Sequence, residues 1–224
     1  MSRAKVHPLL KNLTTKLSGK TSVLILGPLP VQQERLQAIC KKTKPEVVLY
    51  VDGGLIHKKK FLINKKIVHL SLGDGDSSLA PELLLPAEKD FSDLAFGLSG
   101  LTDKALSKVA LLGFSNETEK RPDHLIQNLG EVYKFVERRK LALSMDQFLF
   151  FPAGKNEFFY RGTFSLFAFA KTAIRLTGKA RYQIPEWKML EPFSSLGLSN
   201  IGNGKIYLEN KKTVMVYRAG ENII

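Results

Sequence analysis

The sequence predicts an α/β protein: a mostly parallel sheet with flanking helices, Rossmann-like, over residues 1–146, followed by a small antiparallel β domain over residues 147–224. Three observations predict it. Continuous apolar, β-rich runs alternate with helically spaced segments through about residue 145, the pattern left by strands buried on both faces beneath helices. Beyond residue 146 the helical spacing nearly stops, and short runs broken by Gly, Asn and Pro replace it. The chain has 224 residues, 44% of them hydrophobic, enough to bury one large core or two small ones.

Taken in order, TSVLILG (21–27) reads as a buried strand and VQQERLQAICKKT (31–43) as a helix, with Leu36, Ile39 and Cys40 at helical spacing. Cys40 is the single cysteine, so no internal disulfide forms, and it reads as one small apolar residue on a helix face. EVVLYVD (46–52), KIVHLSLG (66–73) and the short ELLLP (82–86) are further strands. SDLAFGLSGL (92–101) begins with a serine suited to an N-cap and reads as a helix, and KVALLGF (108–114) as the next strand. PDHLIQNLGEVYKFVERRK (122–140) opens on proline and spaces Leu125, Ile126, Leu129, Val132 and Val136 along one face, a strong helix pattern. After SMDQ come FLFFPA, NEFFYRG, TFSLFAFA, ARYQIP and GKIYLENKKTVMVYR, short strands with turn residues between them.

Lys and Arg number 34 against 21 Asp and Glu, a net charge of +13, which favours polyanions in general: nucleic acid, anionic membrane or free nucleotides. Charge alone does not choose among them. The densest clusters, HKKKFLINKK (57–66) and SRAKVHPLLKNLTTKLSGK (2–20), are not laced with aromatics in the manner of a single-strand platform, so no specific nucleic-acid partner is expected. Apolar runs fall short of the roughly 20 residues that span a bilayer, and the amino terminus lacks the apolar segment of a signal peptide. The expectation is a cytoplasmic protein without a membrane partner.

The acids stand where parallel strands end. Asp52 follows VVLYV, Asp74 and Asp76 follow IVHLSLG, Asp90 and Asp93 follow LLLP, and Asp123 lies in the loop after VALLG. Ligands of open α/β sheets bind at the carboxyl ends of the strands. Carboxylates converging there repel unless cations lie between them, and hard oxygen ligands suit Mg²⁺. Gly53, Gly54, Gly73 and Gly75 let backbone approach phosphates closely. The physical reading is a metal-dependent nucleotide or phosphate site. Singly, GDGD and DGG are common turns and a DH pair at a helix start is a common cap; their order and placement carry the reading.

The motifs VDGG (51–54), GDGDS (73–77), KDFSD (89–93), RPDH (121–124) and LSN (198–200), in that order, resemble the pattern of the thiamin pyrophosphokinases across about residues 20–205. The resemblance implies a catalytic α/β domain, then a β-sandwich of thiamin-binding type, in a homodimer with active sites between subunits. It implies transfer of pyrophosphate from ATP to the hydroxyl of thiamin, with Mg²⁺ and release of AMP. On this pattern Asp74, Asp76 and Asp52 are metal ligands, and Asp74, Asp76, Asp93, Asp123 and Arg121 are catalytic. Asp52, Gly53, Gly54, Gly73, Ser77, Lys89 and Arg121 meet the nucleotide, the arginine through a planar fork that matches phosphate oxygens. Asp93, Ser199, Asn200 and Tyr182 meet thiamin, with Trp187 competing with Tyr182 for the stacking role, and His124 reads as a cap.

Three departures stand out. Ser92 replaces the threonine of D-x-T-D, LIHKKK follows the DGG, and FSNETEK (114–120) replaces a glycine-rich turn. Another alcohol such as a pterin as acceptor, or a non-catalytic thiamin or nucleotide binder, therefore stays open beside thiamin pyrophosphorylation.

Overall fold

A computed structural model describes residues 3–61, 66–77, 80–115 and 121–220. Parts of the lysine-rich run (62–65) and of the glycine-poor loop (116–120) lie outside the described residues. The chain divides into two compact units, Met1–Glu131 and Val132–Ile224, each described here by itself.

In the first unit β1 (Ser22–Leu26), β2 (Val47–Val51), β3 (Val68–Gly73), β4 (Leu83–Leu84) and β5 (Lys108–Leu112) run parallel in the order β4-β3-β2-β1-β5. Every residue of SVLIL and VVLYV is buried, as strands covered on both faces require. The register sets Leu26 beside Tyr50 and Leu112, and Val51 beside Leu72, so these strands end at one edge. There the chain leaving β1 binds the chain leaving β5: the Gly27 amide donates to the Leu112 carbonyl at 2.8 Å and the Leu29 amide to Gly113 at 3.0 Å.

Helix α1 spans Arg3–Leu17, α2 Gln33–Thr43, α3 Asp93–Ser99 and α4 Pro122–Arg139. Leu36 and Ile39 of α2 enter a core with Leu24, Leu26, Val48, Tyr50 and Leu112. On α3, a Cβ added at Gly97 would stand 3.2 Å from Leu49 and 3.5 Å from Leu72, so this glycine lets the helix sit close on β2 and β3. Helix α1, over the basic run at 2–20, was not among the expected elements, and its Leu13 and Leu17 are buried. Leu13 fills the space over Gly100.

The second unit holds β6 (Leu143–Met145), β7 (Phe148–Phe151), β8 (Gly154–Phe167), β9 (Thr172–Ala180), β10 (Ile184–Leu190), β11 (Asn200–Asn210) and β12 (Val214–Arg218), paired antiparallel in the order β6-β7-β12-β8-β11-β9-β10. Buried and exposed residues alternate along β11, the period of a strand with one face on a core. Phe164, Ile174, Leu176, Ile206, Leu208, Val214 and Val216 build that core.

The predicted fold class is corrected. Instead of a Rossmann-like parallel sheet with flanking helices followed by a small sandwich, the fold is strand-rich and its twelve strands are mixed in sense, parallel in the first unit and antiparallel in the second. Two connections hold no α-helix among their described residues: between β2 and β3 the chain passes through a 3₁₀ segment, Asp52–Phe61, and between β3 and β4 the described residues are irregular. Later strands are also longer than their broken sequence pattern suggested, 14 residues in β8 and 11 in β11. Glycines and asparagines that read as strand breaks lie within ladders: Gly162 pairs with Gly202, and Asn203 with Arg161. Local composition distinguishes strand from helix but not which strands pair, because pairing partners are remote in sequence.

Candidate active site

The site is built from the ends of β2 and β3 and the start of α3. Asp52 leaves β2 with φ 53°, a left-handed conformation that Asp and Asn tolerate better than most residues. That turn starts the 3₁₀ segment and presses Gly54 onto β1, where an added Cβ would lie 2.1 Å from the Leu26 carbonyl oxygen. Gly73 closes β3, and a Cβ there would stand 3.3 Å from Asp52 Cα and 3.6 Å from Asp93 Oδ2. Its bare backbone lets the two acids crowd the strand end. Ser92 caps α3, its Oγ accepting from the Ala95 amide at 3.1 Å, which fixes Asp93 in the first helical turn.

Carboxylate oxygens of Asp52, Asp74 and Asp93 lie within 4.8 Å of one another. Lys89 stands among them: its Nζ donates to Asp74 Oδ2 at 3.0 Å and lies 3.1 Å from Asp93 Oδ1. The second contact is an ion pair without hydrogen-bond alignment, so among the described residues Asp93 Oδ1 is buried with no hydrogen-bond partner. These groups line a cleft of about 290 Å³, together with Asp76, Phe91, Phe114, His124 and Asn128. Asp76 is exposed at the cleft and outside the trio, and its amide donates to Asp74 Oδ1 at 3.4 Å.

The electrostatics follow from this crowding. Burial, then repulsion from Asp76, Asp93 and Asp74, raises the Asp52 pKa. Burial raises Asp93 too, against the pull of Lys89. Asp74 moves down, chiefly through its hydrogen bond from Lys89. Burial works against the Lys89 ammonium, but Asp74 and Asp93 outweigh it and hold its pKa above the ordinary value. An acid whose folded pKa is raised binds more protons folded than unfolded, so its charge costs stability once the pH exceeds its ordinary value. Asp52→Asn is therefore expected to stabilise the metal-free protein at pH 7 by under about 1 kcal/mol after solvent screening. The gain should shrink as pH falls towards the ordinary Asp value near 3.8, as thermal melts across pH would record. A gain that grows on acidification would exclude this cause.

The other predicted residues lie as follows. Ser77 is half-buried in the loop after Asp76, and Gly53 faces Pro28. Arg121 opens α4 in an exposed fork, donating to Asp123 Oδ1 at 3.1 Å and Oδ2 at 2.8 Å, and to His124 Nε2 at 2.7 Å. The Arg121 hydrogen bonds pull the Asp123 pKa down to about 2. Of this group only His124 lines the cleft. Ser199 (φ 54°), Asn200 and Tyr182 belong to the second unit. Asn200 is buried, its Oδ1 accepting from the Tyr182 amide at 3.0 Å and its Nδ2 donating to the Tyr182 carbonyl at 2.7 Å, so its amide holds the Tyr182 backbone. The Tyr182 ring is exposed beneath Arg181, and Trp187 is exposed beneath Lys211 and Arg175. Phe91, Phe114 and Asn128 line the cleft but were not predicted. Asn128 had a readable signal, since it falls four residues after His124 on the same face of α4.

The fold has counterparts among solved structures. The chain has the thiamin pyrophosphokinase fold. It superposes on the enzyme from Bacillus subtilis with TM-score 0.69 at 19% identity, covering 89% of this chain and 99% of that one. For the enzyme from Geobacillus thermodenitrificans the values are 0.66, 18%, 90% and 99%. For the one from Candida albicans they are 0.62, 14%, 93% and 89%. No protein-family model matches the chain, and no curated protein matches it by sequence. No helix among the described residues is long and apolar enough to cross a membrane.

Proposed function

We propose that the chain is a thiamin pyrophosphokinase, transferring pyrophosphate from ATP to the hydroxyl of thiamin with release of AMP. The observation that carries the reading is the trio Asp52, Asp74 and Asp93 at the parallel strand ends, with Lys89 paired to Asp74 and Asp93. Residues 1–146 would bind the nucleotide and residues 147–224 would bind thiamin. The chain would act in the cytoplasm as a homodimer, which sedimentation would register as twice the chain mass, against a single chain mass for an active monomer.

The acids fit a divalent ion. They are hard oxygen donors, one buried oxygen of Asp93 has no hydrogen-bond partner among the described residues, and burial with repulsion from the neighbouring acids raises the Asp52 pKa. Asp52, Asp74 and Asp93 would hold Mg²⁺, with Asp76 beside them. Mg²⁺ held there would supply positive charge to the triphosphate, whose β-phosphorus the thiamin hydroxyl oxygen would attack with AMP as the leaving group. The chain's own part is positioning. Gly53 and Gly73 leave backbone open to phosphate oxygens, and Lys89 and Arg121 supply cations to them. Asn200 holds the backbone of Tyr182, whose exposed ring offers a face to the thiamin heterocycle, with Ser199 beside it.

Incubation with ATP, Mg²⁺ and thiamin, read by mass spectrometry, is expected to yield AMP and thiamin pyrophosphate together. A parallel arm with a pterin alcohol tests the acceptor. Product only in that arm would reassign the substrate, and no AMP in either arm would refute the reading.

A further inference from the structure

Lys89 sits where a cation belongs. Its side chain is only 8% exposed, and its ammonium contacts two of the three clustered carboxylates, 3.0 Å from Asp74 and 3.1 Å from Asp93. Among the described residues it is the one Lys or Arg lining the cleft. Three carboxylates with oxygens within 4.8 Å cannot remain charged together cheaply, and the lysine supplies the internal charge that lets them do so. The same oxygens are the ones a divalent ion would use, and an ammonium among them would repel that ion.

We infer that Lys89 is an exchangeable counter-ion: it holds Asp74 and Asp93 while no divalent cation is bound, and must release them when one binds. The inference rests on the metal reading of the carboxylates given above, not on the identity of the acceptor. Two consequences follow. Divalent binding to the free protein competes with Lys89 and is weakened by it. A triphosphate that takes up the released ammonium makes nucleotide and metal binding support each other, by reciprocal coupling.

The test uses Mn²⁺ alone, without nucleotide or thiamin, and counts free Mn²⁺ by electron paramagnetic resonance. Lys89→Gln is expected to bind Mn²⁺ at least about tenfold more tightly than the parent, since a competing charge has gone. Lys89→Arg, which keeps the charge, should bind it as weakly as the parent. Without Mn²⁺ the glutamine variant should melt lower than the parent, and saturating Mn²⁺ should raise its Tm by more. Because that variant is the one at risk of misfolding, the parent supplies a second measurement. Its lysine Nζ resonances should include one slowly exchanging ammonium that exchanges faster when Mg²⁺ is added. Equal Mn²⁺ affinity in parent and Lys89→Gln, or an ammonium indifferent to Mg²⁺, would overturn the inference and leave the pyrophosphokinase reading to the turnover assay. Absence of Mn²⁺ binding in both proteins would overturn the inference together with the metal reading, though AMP release would still report on transfer.

Discussion

Asp74→Asn is expected to lower turnover of ATP with thiamin by about 10²–10³-fold or more while leaving the protein folded. Asparagine keeps the shape and an oxygen that can accept from the Asp76 amide, so the loop loses little local structure. What disappears is the charge. Asp74 is the member of the trio with a lowered pKa, so it stays ionised where Asp52 and Asp93 are pushed towards protonation. Of the three, its surroundings most favour the charged form. Its loss costs the ion pair with Lys89 but relieves repulsion on Asp52 and Asp93, so the stability change should be small. Asp76, exposed and outside the trio, should matter less when changed in the same way. AMP release beside circular-dichroism melts reads both quantities. Parent-level turnover in Asp74→Asn would remove this carboxylate from the chemistry.

Gly54→Ala should destabilise the fold by roughly 3 kcal/mol or more, the range of overpacking against unyielding neighbours. An added Cβ would lie 2.1 Å from the Leu26 oxygen and 2.9 Å from its carbon, both backbone atoms at the end of a fully buried strand. Neither can move without disturbing the sheet. Gly53→Ala is the control: its Cβ would meet only Pro28, at 3.2 Å from Cβ, and should cost about 1 kcal/mol. Denaturant midpoints of the two variants should therefore separate clearly. If they coincide, the close approach of the 3₁₀ segment to β1 is not what demands glycine at position 54. The contrast separates two uses of one motif. VDGG reads as a phosphate-approach sequence, yet its second glycine serves packing, while Asp52 and Gly73 shape the cleft.

Much of the site was legible because strand ends are local features. VVLYV, IVHLSLG and the serine before DLAFGLS each announce where an element stops or starts, and an acid immediately beyond such a point is carried to the sheet edge by the backbone. Hence Asp52, Asp74 and Asp93 could be picked out, and Lys89 with them. That Asp93 rather than Asp76 completes the trio was not legible, since it depends on how closely α3 sits against the end of β3. Phe91 and Phe114 were equally hidden, being apolar residues whose burial pattern in sequence resembles that of any core residue.

By itself the sequence determined the local elements of the first unit: which runs are strands, where α2, α3 and α4 begin, and which acids sit at strand ends, because these depend on periodicity and caps within a few residues. Only the tertiary structure decided which strands pair and in which sense, that the basic amino-terminal run is a helix buried through Leu13 and Leu17, and that a lysine ammonium pairs with two of three clustered carboxylates. Each of those outcomes depends on residues far apart in the chain meeting in space, and the free energy of such meetings is written in packing and charge rather than in any short stretch of sequence.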